Sequence, residues 1–217
     1  MSLGTLFMDE LKGIIFDMDG VLIDARDWHY EALNSALEPF GYEISDKDHE
    51  NRFDGLPTSK KLEILSREQG LPFLLHSVIS KTKQDRTLRI AATYCFPDPS
   101  LLILLHSLKS CGIPMSVYTN SIRKTTEFML THANIIDMFN VIVTNEDVVS
   151  PKPSPEGYLK VANLMHLQPS EILVIEDGDY GVQAAREAGC RVLRVESPKD
   201  VCVQTVAPLM PKLLEYS

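Results

Sequence analysis

The stretch from Lys12 to Asp24, KGIIFDMDGVLID, constrains the fold more than any other part of the chain. Gly13-Ile14-Ile15-Phe16 is wholly apolar. A short, unbroken apolar run suits a strand buried on both faces of a parallel sheet. The run stops abruptly at Asp17-Met18-Asp19-Gly20, and Gly20 permits a turn there. A buried strand that delivers two acids to its C-terminal edge is costly unless something positive meets them. A metal ion, a lysine or a substrate in need of a nucleophile would each serve.

Downstream of Asp24 the pattern becomes helical. Residues 27–37 carry apolar positions at helical spacing and end near Pro39 and Gly41. Residues 58–68 follow Pro57 and stop at Gly70, and 72–94 predict further helix, with Lys81, Lys83, Arg86 and Arg89 on or near its exposed faces. Nothing strand-like lies between about 25 and 95, so this block reads as a small helical domain inserted after the first strand. Phe96-Pro97-Asp98-Pro99 is stiff and suits a return hinge. Beyond it, strands are expected at 113–118, 141–144, 172–175 and 191–195. Helices are expected at 100–110, up to about 131, and at 156–164, 183–189 and 208–216. Such alternation predicts an α/β fold with a doubly wound parallel sheet. Its core would be 1–24 and 96–217, with 25–95 as the insert.

A formal net charge of −9 argues against non-specific binding to nucleic acid or to an anionic membrane. It leaves room for an anionic substrate in a locally basic pocket. No apolar run approaches the length of a membrane span. The opening MSLGTLFMDELK lacks a basic segment followed by a long apolar one, so no secretory leader is expected. Cys95, Cys111, Cys190 and Cys202 show no zinc-site spacing. They read as small buried side chains in a reducing compartment, which favours a cytoplasmic location.

In open parallel sheets, ligands bind outside the C-terminal ends of the strands. Those ends offer Asp17 and Asp19, then Thr119, Asn120 and Ser121, then Lys152 after a short loop, then Glu176 and Asp177. Four carboxylates beside one lysine call for a hard divalent cation with oxygen ligands, Mg2+ before others. Asp17 and Asp177 are the first choices as ligands, the Asp19 backbone carbonyl is a third, and Glu176 is a ligand or an orienting group. Lys152 would counter a phosphate and keep a carboxylate ionised, while Thr119 and nearby backbone N–H groups would hold phosphoryl oxygens. That inventory suits phosphoryl transfer. Asp17 would be the nucleophile that forms an aspartyl-phosphate. Asp19 would serve as general acid and then as general base.

These motifs resemble those of the haloacid dehalogenase (HAD) superfamily, in its β-phosphoglucomutase-like branch of phosphatases and mutases. FDMDGVLID is similar to the first family motif and VYTNS to the second. The lysine of SPKPSPEGY is similar to the third, and VIEDGDYGVQAAREAGC to the fourth. The resemblance implies a Rossmann-like core with strand order 5-4-1-2-3, an α-helical cap at the insert, Mg2+ and an aspartyl-phosphate. It also implies substrate-binding roles for Asn120, Ser121, His29 and Lys83, the last two falling where the mutases carry a hinge histidine and a cap lysine. The cap arginine that grips a distal phosphate in the mutases has no counterpart at about Thr58, where the nearest bases are Lys60 and Lys61. Asn120-Ser121 after Thr119 looks more like the phosphatases. The expectation is therefore net hydrolysis of a small phosphorylated metabolite, with sugar phosphomutase chemistry as the alternative. A signalling receiver domain also joins an acidic pocket to a Thr and a Lys, but it lacks the Asp17-x-Asp19 pair and a helical insert.

Overall fold

The computed structural model of the chain describes residues 10–214. β1 (Gly13–Phe16) lies at its centre with every residue buried. Parallel partners flank it on both sides. Ile14 lies opposite Met115 in β2 (Met115–Tyr118) and opposite Leu173 in β4 (Ile172–Glu176). β3 (Val141–Val143) and β5 (Arg191–Arg194) extend the sheet outward in the order β3-β2-β1-β4-β5. This is the implied order, read from the opposite edge. Alternate residues of a strand face opposite sides of a sheet. Ile14 and Phe16 enter one core cluster and Ile15 the other, so β1 has no polar side.

Four helical segments follow β1 with no strand among them. They are α1 (Arg26–Leu37), a single turn α2 (Asp46–Asp48) running into a π-helical stretch His49–Phe53, α3 (Thr58–Gln69) and α4 (His76–Tyr94). The α2 turn is not evident in the sequence; Ser45 caps it by accepting the Asp48 N–H. These helices bury a cluster of their own that includes Leu33, Leu37, Phe53, Leu62, Leu65 and Ile79. α5 (Pro99–Ser110), α6 (Arg123–His132), α7 (Glu156–Leu164) and α8 (Asp179–Glu187) alternate with the remaining strands. α4 also packs against α6, where the Gln84 amide donates to the Thr125 hydroxyl.

Two segments depart from expectation. α8 begins at Asp179, four residues before the expected start at 183, because Gly178 ends the strand exit in extended backbone and releases the helix there. The helix expected at 208–216 runs partly outside the described residues. Within them the chain makes a short α9 (Val203–Val206) and a 3-10 turn at Pro211–Leu214. Pro211 lacks an N–H and crowds the preceding turn, so one continuous helix cannot cross it. All four cysteines are free, but only Cys95 and Cys190 are buried; Cys111 and Cys202 are half-buried. Among the described residues no single helix is long and apolar enough to cross a membrane.

Candidate active site

β1, β2 and β4 end at one edge of the sheet, and the residues just beyond them line a cleft of ≈ 830 Å³. Asp17, Asp19, Thr119, Asn120, Ser121, Lys152, Glu176 and Asp177 all border it. His29, Lys61 and Lys83 border it from α1, α3 and α4.

The innermost group is an ion cluster. Lys152 Nζ lies 2.5 Å from both Asp17 Oδ1 and Glu176 Oε1. The rings of Tyr118 and Tyr158 flank the ammonium at 4.9 and 5.3 Å. The Tyr158 hydroxyl donates to Glu176 Oε1 at 2.9 Å, and the N–H groups of Asp177 and Gly178 donate to Oε2. Protein donors thus engage both Glu176 oxygens, which favours an orienting role over direct metal ligation. A Cβ at Gly181 would sit 1.6 Å from Glu176 Oε1, so only glycine lets α8 approach that carboxylate. Gly20, at φ +89°, is another close approach: a Cβ there would lie 2.1 Å from Asp177 Oδ2.

Positive charge is short in this cluster. Burial pushes the Asp17 carboxyl well up, the charges of Glu176 and Asp177 push it further, and Lys152 only partly opposes them. Burial and Glu176 likewise raise Asp177 to about 6, against the pull of Arg26. Burial disfavours the Lys152 ammonium, yet Asp17 and Glu176 outweigh it and hold its pKa well above the usual lysine value. Carboxylate oxygens of Asp17, Glu176 and Asp177 lie within 4.8 Å of one another. Lys152 takes Asp17 Oδ1 and Arg26 takes Asp177 Oδ2 at 2.9 Å, leaving Asp17 Oδ2 and Asp177 Oδ1 without a partner among the described residues. No described backbone N–H donates to the Asp19 carbonyl. Such a set of hard, underused oxygens fits a divalent cation of the Mg2+ kind.

Asp19 sits in a different environment. His29 Nε2 lies 2.9 Å from its Oδ1, and the Ser121 hydroxyl donates to Oδ2 at 2.7 Å. Lys83 Nζ lies 3.0 Å from His29 Nδ1. An ammonium only donates, so a neutral His29 carries its proton on Nε2 and gives it to Asp19. Burial alone would raise the Asp19 pKa, but His29, Ser121 and Lys83 hold it below the usual value. Burial and Lys83 lower that of His29. The two acids of one motif are thus driven in opposite directions.

The loop after β2 is also partly self-engaged. The Thr119 hydroxyl oxygen accepts the Ser121 N–H at 3.0 Å, and its own hydrogen has no acceptor among the described residues. Asn120 Oδ1 accepts the Lys152 N–H at 3.1 Å, and its amide donates to the Gly55 carbonyl at 2.9 Å. Asn120 therefore joins the lysine loop to the loop before α3. Lys83 corrects the expectation of an exposed helix face: it is buried and turned toward His29. Asp179 is exposed and pairs with Arg194.

Two residues of this neighbourhood were not anticipated, and a third, Lys61, was noted in the sequence only as a base near the absent cap arginine. Arg26 bridges Asp54 and Asp177, Tyr158 orients Glu176, and Lys61 lies buried on α3. Spacing carried a signal for one of them, since Lys61 falls on the same buried face as Leu62 and Leu65.

Residues 14–195 match the family described as haloacid dehalogenase-like hydrolase. A hexitol phosphatase A of Escherichia coli is 30% identical over 198 residues, covering 87% of this chain and 85% of that protein. A fructose-1-phosphate phosphatase of the same organism is 29% identical over 182 residues, covering 83% of this chain and 94% of that protein. Among solved structures, a β-phosphoglucomutase of Clostridium difficile superposes with a TM-score of 0.80 at 22% identity, covering 95% of this chain and 98% of that one.

Proposed function

The chain belongs to the haloacid dehalogenase-like hydrolases, and from that premise we propose that it is a Mg2+-dependent phosphatase acting on a small phosphorylated metabolite, a sugar phosphate or similar, through an aspartyl-phosphate on Asp17. The observation that most supports this is the buried contact of Lys152 with Asp17, a cleft-lining residue whose other carboxylate oxygen has no partner among the described residues. Sugar phosphatases among the relatives point to the same substrate class.

The steps follow from the chain's own groups. A carboxylate oxygen of Asp17 attacks phosphorus, and the bond to the leaving oxygen breaks. Lys152 favours ionised Asp17, and the Thr119 hydroxyl with N–H groups of its loop holds the phosphoryl oxygens. Asp19 must enter the step protonated, which the negative charge of a bound phosphate would favour against the pull of His29, Ser121 and Lys83, and it then gives that proton to the leaving oxygen. It then takes one from the water that cleaves the aspartyl-phosphate, freeing Asp17 and inorganic phosphate. His29 and Ser121 hold Asp19 in position, and Lys83 fixes the His29 tautomer. Asp17, Asp177 and the Asp19 carbonyl, with Glu176 behind them, would hold a Mg2+ ion, which would supply positive charge against the phosphoryl oxygens. The helices of 25–95 act as a cap that excludes bulk water and selects the substrate.

Phosphate release from a panel of sugar phosphates is expected to stop in EDTA and to return when MgCl2 is added. Undiminished turnover in EDTA would remove the metal from the mechanism. A second reading, a sugar phosphomutase, is favoured by the pairing of His29 and Lys83 behind Asp19. A hexose 1-phosphate with a trace of the bisphosphate separates the two. Free phosphate is the expected product, and clean conversion to the 6-phosphate would reverse the order of the readings.

A further inference from the structure

We propose that Arg26 is a positioning residue for the metal site: its guanidinium holds Asp177 by one oxygen and leaves the other for the cation, and Asp54, from the helical insert, holds the guanidinium in turn. The proposal rests on the Mg2+ reading of the site and adds to it a residue that lies at no strand end.

Arg26 opens α1 on a firm base. The Met18 carbonyl accepts the N–H groups of Leu22 and Ile23, both at 2.9 Å, and Ala25 is fully buried. From there Arg26 Nη2 reaches Asp177 Oδ2 at 2.9 Å, and Nε reaches Asp54 Oδ2 at 3.0 Å. A guanidinium presents its donors in a fixed planar fork, so two such bonds set its orientation. Asp177 has little freedom on the same side. A Cβ on Gly20 would lie 2.1 Å from Asp177 Oδ2 but 3.3 Å from Oδ1. Gly20 and Arg26 together fence Oδ2, and Oδ1 is the oxygen left without a partner among the described residues.

Asp54 is itself fixed. Its Oδ1 accepts the Gly55 N–H at 3.0 Å, and the Gly55 carbonyl accepts the Asn120 amide at 2.9 Å. A chain of contacts thus runs from the insert, through Arg26, to the acid that follows β4. A cation beside a metal ligand would ordinarily repel the metal. Here Asp54 offsets the guanidinium charge, and an Arg26 side chain that is 42% exposed leaves the remainder open to solvent and salt. The hold on Asp177 therefore comes with little net repulsion. Partners that orient a metal ligand in this way are typically worth about 10- to 100-fold in metal affinity, so orientation is expected to outweigh charge.

The test is Mg2+ affinity, measured by isothermal titration calorimetry on EDTA-stripped protein without substrate. Arg26→Met is expected to weaken Mg2+ binding by about 10- to 100-fold. Charge alone predicts the reverse, since the variant carries one positive charge fewer beside the site. Unchanged or tighter binding therefore overturns the proposal. Arg26→Lys keeps the charge but lacks the fork, and it is expected to weaken binding as well. Wild-type affinity in Arg26→Lys would show that the bridge is not needed, and would overturn the proposal too. Asp54→Asn is expected to weaken binding on its own and to add little in the Arg26→Met background, because it acts through the guanidinium. Additive losses would remove Asp54 from the chain of contacts. Should Arg26→Met fail to fold, Arg26→Lys and Asp54→Asn carry the same test. A wild type that binds no Mg2+ defeats the metal reading together with this inference. A wild type that binds Mg2+ but hydrolyses no phosphate ester defeats only the phosphatase reading, and the affinities still decide the role of Arg26.

Discussion

Asp17→Asn is expected to lower kcat by at least about 10³-fold while leaving the protein folded. The amide has nearly the same shape but no negative charge with which to attack phosphorus. Its effect on the fold is expected to be small for a physical reason. Asp17 is one of three acids within 4.8 Å, with burial and the charges of its neighbours already opposing its ionisation. Replacing it relieves that repulsion, and Lys152 keeps Glu176 as a partner at 2.5 Å. Circular dichroism and a urea titration should give near-native values. Mg2+-dependent turnover above about one per cent of wild type, well over what loss of a nucleophile leaves, would sink the nucleophile assignment.

The sheet was legible in the sequence because both of its faces are covered. Gly13-Ile14-Ile15-Phe16 and Ile172-Leu173-Val174-Ile175 had to be apolar throughout, and that pattern belongs to buried parallel strands. The acids at the strand ends were legible for the complementary reason: no other position in such a strand tolerates a charge. The helical side was harder to read. Lys83 looked solvated beside Lys81 and Arg86, yet it shares a buried stripe with Ile79, Thr87 and Ala91 at a spacing of four. That spacing was present in the sequence, but a lysine in an apolar stripe reads first as surface because its counter-groups come from other elements. Arg26 carried no signal at all. Its partners are Asp54 and Asp177, 28 and 151 positions away, and only the folded chain brings them together. The polar face of Asn120 has the same origin, since both of its partners are backbone groups of distant loops.

Lys152→Met is expected to harm stability more than Asp17→Asn does, although both remove one charge from the same contact. Lys152 is the only cation in hydrogen-bond contact with Asp17 and Glu176 among the described residues, and both acids are buried. Methionine fills much of the same volume beside Tyr118 and Tyr158, so the loss is electrostatic rather than a cavity. Breaking a buried pair from one side typically costs about 3–5 kcal/mol, because the remaining charge stays buried and unpaired. The deficit should depend on pH with a definite sign. In the wild type the Lys152 pKa is raised well above its usual value, so its contribution is present at neutral pH and is lost only as pH climbs through that raised value. In the variant, Asp17 loses the one charge that lowered its pKa, and its folded-state pKa rises further. An acid with a raised folded pKa binds more protons folded than unfolded, so the variant gains stability relative to wild type as pH falls. Urea titrations should therefore show a smaller difference at pH 5 than at pH 8, and an equal difference would mean that charge is not what Lys152 contributes. Added Mg2+ should recover part of the loss by replacing the missing positive charge, while kcat stays at least about 10²-fold down because Mg2+ cannot restore the preorganised contact to the phosphoryl group.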